Sequence, residues 1–501
     1  MTKKTAAPLL NGAPSTDESA SEATPLYHQL RRRLEQRILD GEFPVESRLP
    51  TEQELCKEYE VSRITCRKAL GLMEGEGLIH RLRGRGSFVR RLPVAGRGAP
   101  AISRTVELRC VVSGPVHRRW TSPWFREAFE REFPGIRLVS HDEGAVREVP
   151  LEARFNGIDL YTVGPAQYQT LQRRGLLEKW SELLGNQRWQ SLLADIPDDL
   201  TRSIGERESE YLLPLVYSPV AFIYHRRIFS EAGIPEPRFN WSESEFFSAC
   251  EALHAFRPEG RRLFPFFCNF SNQFRWPLAL YREGGRIWSE DGLQCRLDEE
   301  ASLRGLRFYR EMIAERKWGH PYHGDLSHAD HSLFSRGHVA IQLGTIITVI
   351  TLIKEGCTEW GIAAVPEGRR RATLTTNCLL AASPHVRDRE LVAEFIEFTR
   401  RPDLLARQFQ EWEMFNTSRH AMREIRAHLP REKQEYIDAF SRLTPEISPL
   451  EYPALLAADQ RLQELLPLLW IDIEHVETHA REIAREINAM PALRRLREAG
   501  A

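Results

Sequence analysis

Near the start of the chain the spacing of apolar residues predicts three helices and then a hairpin. Leu26, Leu30, Leu34 and Ile38 recur every fourth residue, which predicts a helix with one apolar stripe, opened by Pro25 and stopped by Asp40-Gly41. Thr51 and Glu54 have capping-box spacing and start a second helix running through Leu55 to Tyr59. After a short turn at Glu60-Val61, Ser62 is a natural N-cap for a third helix. Arg63, Thr65, Arg67 and Lys68 lie toward one side of it, and Ala69, Leu70 and Met73 face inward, with Gly75 and Gly77 ending it. Residues 78–82 then read as a strand, 83–86 as a tight turn and 87–89 as the returning strand. Helix, helix, turn, helix and hairpin over 25–91 predict a winged helix-turn-helix, an α+β module.

From residue 105 short apolar strands alternate with helices. Residues 106–112 read as a strand ending in Ser113-Gly114-Pro115, followed by a helix carrying Trp124, Phe125, Ala128 and Phe129. Further strands are predicted at 135–139, 158–163, 212–215, 221–224 and 339–343, the last ending in Gly344-Thr345. Such alternation over 105–500 predicts an α/β domain, in which ligands collect at the carboxyl ends of strands. Residues 92–104 hold two prolines and two glycines and read as a linker. Residues 1–24, rich in Ser, Ala, Thr and Glu, read as a disordered leader without the apolar core of a secretory signal.

Composition narrows this picture. No apolar run is long enough for a membrane span. The eight cysteines form no C-x-x-C pair, so reduced thiols in a cytoplasmic protein are expected. The net charge is −1, yet Arg81, Arg83, Arg85, Arg90 and Arg91 fall in one stretch without an acid, which points to a localised anionic partner.

That partner is read as double-stranded operator DNA. The helix after the short turn projects its N-terminal residues into the major groove. Arg63, in its first turn, can fork onto guanine O6 and N7, and Arg67 can reach a phosphate or a second base. Glycine at the wing tip allows close backbone approach, and Arg83 and Arg85 can neutralise phosphates.

The segments PLYHQL (25–30), RLPTEQEL (48–55), VSRITCRKAL (61–70) and EGEGLIHRLRGRGSFV (74–89) resemble the GntR family of bacterial regulators, in particular its HutC-type branch. The resemblance implies DNA contacts at Arg48, Arg63, Thr65, Arg67 and Gly84, with Thr51, Ser62, Arg83 and Arg85 completing the candidate surface. Gln53 stands where some relatives carry a DNA-contacting arginine.

In the second module WFREAFEREFPGIRL (124–138), the segment 157–184, LPLVYSPVAFIYHRRIFSEAGIPEPRFNWSESEF (213–246) and LFSRGHVAIQLGT (333–345) are similar to sugar-type bacterial extracellular solute-binding proteins. That resemblance implies a type II periplasmic-binding fold of two α/β lobes, discontinuous in sequence, with the solute in the cleft. It puts lobe one at roughly 105–217 with a return near 335–380.

Sugars are held by aromatic faces and by polar groups that bond hydroxyls. The predicted strand-to-helix loops offer Trp120, Trp124, Tyr161, Tyr217, Ser218, Trp276, Thr345, Asn377, Trp412 and Phe415. Tyr217 and Trp276 lie where relatives place cleft residues, and Thr376-Asn377 replaces the paired glycines of many relatives. His320, His323, His328 and His331 with Asp325 and Asp330 read as a solvated loop over the cleft rather than a metal site.

No hydrolase triad motif, Walker loop or H-E-x-x-H occurs in this module, so binding rather than catalysis is expected, with no cofactor. A pyridoxal-phosphate domain, known from other GntR-type regulators, needs a Schiff-base lysine. After residue 92 only Lys179, Lys317, Lys354 and Lys433 remain, none in a recognisable cofactor context. A solute-binding component of an importer is the other alternative, opposed by the winged helix. The sequence thus predicts a cytoplasmic, homodimeric transcription regulator whose operator binding responds to a small solute, a sugar or oligosaccharide by analogy.

Overall fold

The structure is a computed structural model describing residues 26–39, 43, 47–59, 61–75, 79–82, 86–89, 106–146, 155, 157–270, 274–320, 333–412 and 415–500. Its contacts divide the chain into two compact units, Met1–Arg104 and Thr105–Ala501.

In the first unit α1 (Leu26–Leu39), α2 (Glu52–Glu58) and α3 (Arg63–Gly75) precede the strands β1 (Ile79–Leu82) and β2 (Gly86–Val89). Leu30, Leu34 and Ile38 of α1 bury their four-residue stripe against Leu55, Cys66, Ala69, Leu70 and Met73. Thr51 caps α2 with the reciprocal bonds of a capping box, its N–H donating to Glu54 Oε2 at 2.7 Å. The wing gains a third chain segment. Arg48 bridges to Phe88, the Leu49 N–H donates to the Ser87 carbonyl at 2.9 Å, and the Val89 N–H donates to the Ser47 carbonyl at 3.0 Å.

The second unit contains two sheets. Six strands form the first, in the order β12 (Phe415–Asn416), β6 (Leu213–Pro219), β11 (Thr375–Ala382), β5 (Leu160–Thr162), β3 (Val106–Val112) and β4 (Ile136–Asp142). Four form the second, in the order β10 (Trp360–Ala363), β7 (Ala221–His225), β9 (Val339–Gly344) and β8 (Phe264–Phe267). β3, β4 and β5 run parallel, so their carboxyl ends share one edge of the first lobe. The chain crosses between lobes at Pro219-Val220, again along 364–374, and a third time near Tyr452, which packs in the first lobe's core while Ala454 packs in the second's.

One detail of the expected lobe division is corrected. Residues 339–344 belong to the second sheet, paired with β7 and β8, and the return to the first lobe is made by β11 and β12. β9 is buried on both faces, Gln342 included, and nothing local distinguishes which sheet receives it.

The third crossing contains a buried acid. Glu451 accepts hydrogen bonds from the N–H groups of Ile287 and Trp288, at 2.9 and 2.8 Å. Burial pushes its carboxyl up to about 7, against the pull of those donors. The folded chain therefore keeps a proton that the unfolded chain releases, so this group's contribution to stability falls as pH rises from about 4.5 to about 7. Glu451→Gln is expected to flatten that slope in urea melts taken across the interval; an unchanged slope would assign it to other groups.

Candidate functional site

Two sites emerge, one in each unit. In the first, Ser62 caps α3, its Oγ accepting from the Thr65 N–H at 3.1 Å and lying 2.8 Å from Thr65 Oγ1. This fixes the start of α3 and leaves Ser62 and Arg63 exposed, with Arg67 exposed one turn on along the same face. Arg63 makes no ion pair among the described residues. Arg67 does, its Nε donating to Glu52 Oε2 at 3.0 Å, while Arg81 donates to the other oxygen of the same carboxylate. Glu52, absent from the sequence-predicted set, thus holds an arginine of α3 and an arginine of the wing together. Its spacing from Arg67 and Arg81 carries no sequence signal.

Arg48 is exposed and its guanidinium lies across Gly86, where a Cβ would come within 2.8 Å of Arg48 Nε. Gly86 also has φ +109°, so only glycine suits both the backbone and the arginine above it. Thr51 is half-buried and spends its hydroxyl on the helix cap. Arg83, Gly84 and Arg85 lie outside the described residues.

In the second unit a polar network joins the carboxyl ends of the parallel strands. The Ser113 N–H donates to Thr162 Oγ1 at 2.7 Å, and that hydroxyl donates to Glu143 Oε2 at 3.3 Å. Gln167 Nε2 donates to Glu143 Oε1 at 3.3 Å and its Oε1 accepts from the Gly164 N–H at 3.1 Å. Ser113 Oγ donates to Cys378 Sγ at 3.2 Å, and burial pushes that thiol up, so it stays neutral. Cys378 pairs with Val216 in β6, and two residues along the same face Ser218 Oγ accepts from the Ile346 N–H at 3.0 Å. Ile346 begins the helix Ile346–Lys354 directly beyond β9. The strand ends of both lobes therefore meet across β6, within about 7 Å along one strand.

The period-two alternation of strands splits the candidate residues. Ser218 lies on the face that carries Cys378, and Thr345 is buried at the start of the adjoining helix, its N–H donating to Thr348 Oγ1. Tyr217, Asn377 and Phe415 are directly opposed on the other face. There the Tyr217 and Phe415 rings pack 5.8 Å apart, and the Tyr217 hydroxyl lies 3.4 Å from Thr444 Oγ1.

Five of the aromatic candidates are core, and their expected role as solute platforms is corrected: Tyr217 and Phe415, 6% and 1% exposed, pack on each other in the first lobe's core, and Trp120, Tyr161 and Trp276 are closed off likewise. Trp120 is fully buried, edge-on to Phe395 at 5.0 Å. Tyr161 is fully buried against Phe155 at 4.1 Å, its hydroxyl donating to the Leu176 carbonyl. Trp276 is 1% exposed and packs on Trp470 at 5.4 Å. None offers a ring face to a solute.

Trp124 lies elsewhere, in a groove of about 300 Å³ with Glu127, Arg131, Asp403 and Arg407, its Nε1 donating to Glu411 Oε2 at 2.7 Å. Trp412 ends the helix Pro402–Trp412, with its side chain outside the described residues. Ser113, Glu143, Thr162 and Gln167 were missed. The available signal was position alone, since each lies at or just beyond the carboxyl end of a predicted strand.

Of the histidine cluster, His323, Asp325, His328, Asp330 and His331 lie outside the described residues; His320 packs on Phe264 at 4.6 Å. Among the described residues no group of His, Cys, Asp and Glu is arranged to hold a metal, and no helix is long and apolar enough to cross a membrane.

Residues 26–89 match the bacterial regulatory proteins of the gntR family, and residues 114–398 match the bacterial extracellular solute-binding proteins. The probable fructoselysine utilization operon transcriptional repressor of Escherichia coli (strain K12) is 29% identical over 167 residues, covering 30% of this chain and 67% of that protein. The HTH-type transcriptional repressor NagR of Bacillus subtilis (strain 168) is 40% identical over 67 residues, 13% of this chain and 28% of its own length. Among solved structures, the sugar-binding protein MalE from Xanthomonas citri superposes with a TM-score of 0.64 at 15% identity, covering 79% of this chain and all of that one. A solute-binding protein from Thermotoga lettingae bound with α-D-tagatose gives 0.60 at 16% identity, over 76% and 99%. At such identities the likeness establishes the fold: the second unit is a two-lobed periplasmic-binding-protein-like domain.

Proposed function

Because the chain belongs to the bacterial extracellular solute-binding protein family and carries a gntR-family winged helix ahead of that domain, we propose that it is a transcription regulator whose operator binding is set by a small solute. The observation that carries this reading is the joining, in one chain, of a recognition helix with an exposed Arg63 to a fold that closes on solutes. The protein works in the cytoplasm as a homodimer, two α3 helices entering successive major grooves of a near-palindromic operator. Solute bound between the lobes favours the closed arrangement over the open one, and that differential affinity changes the DNA affinity reciprocally.

We assign the solute to the polar network at the strand ends, with Glu143, Gln167, Thr162 and Ser113 bonding hydroxyl groups. A carbohydrate suits this set, because a carboxylate and an amide side by side can satisfy vicinal hydroxyls as both acceptor and donor. The importer-component alternative leaves the winged helix without a role. The pyridoxal-phosphate alternative has no support in a solute-binding fold.

Solute binding to the native state raises the melting temperature by mass action. A panel of mono- and oligosaccharides is expected to contain at least one that does so. Glu143→Gln is expected to weaken that sugar by about 1.5–3 kcal/mol, the worth of hydrogen bonds to a charged group, while leaving operator binding intact. A hit whose affinity is indifferent to Glu143 would remove the strand-end site, and a silent panel would remove the carbohydrate assignment.

A further inference from the structure

The second unit carries a surface patch that contains its own complement. The short helix Pro467–Ile471 leaves Leu468 44% exposed and Ile471 71% exposed, the latter more than any other large hydrophobic residue described. Beside Ile471 lies a concavity of about 420 Å³ whose apolar wall is Phe264, Ile313 and Ala314. An exposed apolar knob, Ile471, thus stands on the wall of a concavity that is apolar on one side and charged on the other.

The charges at its rim are also divided. Arg262 and Lys317 stand at the same concavity as Asp472 and Glu474. The Arg262 guanidinium is spread over the Phe264 ring at 4.5 Å. Lys317 sits at φ 55°, in the left-handed region unusual for a residue other than glycine, directly after the π-helical turn Glu311–Glu315. Among the described residues Lys317 and Glu474 make no ion pair, although most arginines of this unit do. Asp472 is occupied, accepting from His475 Nδ1 and His479 Nε2 at 3.0 Å each.

A two-fold contact brings the same patch of both subunits together, so it needs each feature and its complement on one surface. Knob with hole and cation with anion satisfy that requirement twice over. We propose that this face is the homodimer interface, covered by a second copy of the chain, with Ile471 of each subunit entering the concavity of the other and Lys317 of each facing Glu474 across the two-fold axis. The proposal rests on the homodimer reading given above and names the surface that reading lacks.

Sedimentation equilibrium of the full chain tests it. The wild-type protein is expected to dimerise, and Ile471→Glu to raise the dimer dissociation constant by at least about tenfold, since a carboxylate would be desolvated against the concavity's apolar wall of Phe264, Ile313 and Ala314. Lys317→Glu and Glu474→Lys are each expected to weaken the dimer, and the double variant to restore it, because the exchanged charges again face each other. Rescue separates a contact across the axis from damage to the fold. A wild-type dimer that neither Ile471→Glu nor the single charge reversals weaken would overturn this interface and leave the homodimer reading standing. A wild-type chain monomeric at all concentrations would overturn both, the patch then serving a different macromolecule.

Discussion

Trp276→Ala is expected to destabilise the C-terminal unit by about 3–5 kcal/mol, the range for deleting a large aromatic side chain from a packed core. The ring is 1% exposed, meets Trp470 at 5.4 Å, and lies in the same cluster as Leu278, Leu280 and Tyr309. The Tyr309 hydroxyl donates to the Trp276 carbonyl at 2.9 Å, so the backbone there is fixed as well. Truncation removes the apolar contact and leaves a hole that surrounding helices fill only in part. Chemical denaturation of wild type and variant provides the reading. If instead stability held and only sugar affinity dropped, Trp276 would be a cleft residue after all and the core assignment would be wrong.

Arg63→Ala carries the second large effect, on DNA rather than on folding. Arg63 is exposed at the first turn of α3, and Ser62 fixes that turn by capping it. A guanidinium there can reach a guanine with two parallel hydrogen bonds, so its removal is expected to cost about 1–3 kcal/mol on the selected operator, about five- to 150-fold in affinity. The loss should be largest on the preferred sequence and small on unrelated DNA. Stability should be unchanged, since the side chain has no ion pair to lose among the described residues. Arg67→Ala provides the contrast. Its side chain is tied to Glu52, so the variant also frees that carboxylate beside Arg81. A uniform loss across all sequences for Arg63→Ala would mean that it contacts phosphate rather than a base.

The winged helix was legible because its signals are local. The four-residue stripe of Leu30, Leu34 and Ile38, the Thr51–Glu54 capping box and the Ser62 cap each lie within a few residues of the structure they specify. The strand Val106–Val112 was equally plain, its Leu108, Cys110, Val111 and Val112 running up to Ser113, where the helix Gly114–Thr121 begins.

The proposed solute site was less legible because long-range pairing assembles it. Thr162 meets Ser113 only because β3 and β5 pair in parallel, and Cys378 joins them from more than two hundred residues away. Trp120, Tyr161, Tyr217, Trp276 and Phe415 failed as solute platforms for the same reason. A tryptophan beside a loop looks alike in sequence whether it faces a cleft or, as Trp276 does, a helix carrying Trp470. Strand alternation adds a further constraint: Tyr217 and Ser218 are neighbours in sequence, and the pleat sends them to opposite faces of β6.

The most direct test of the account is the operator affinity of the full chain with and without saturating solute, using DNA selected from a random pool and the sugar that raises the melting temperature most. A shift of about fivefold or more is predicted, in either direction, which is the usual scale of coupling between two binding sites. An affinity unchanged at saturating sugar would contradict the central claim, because the two modules would then bind their partners independently.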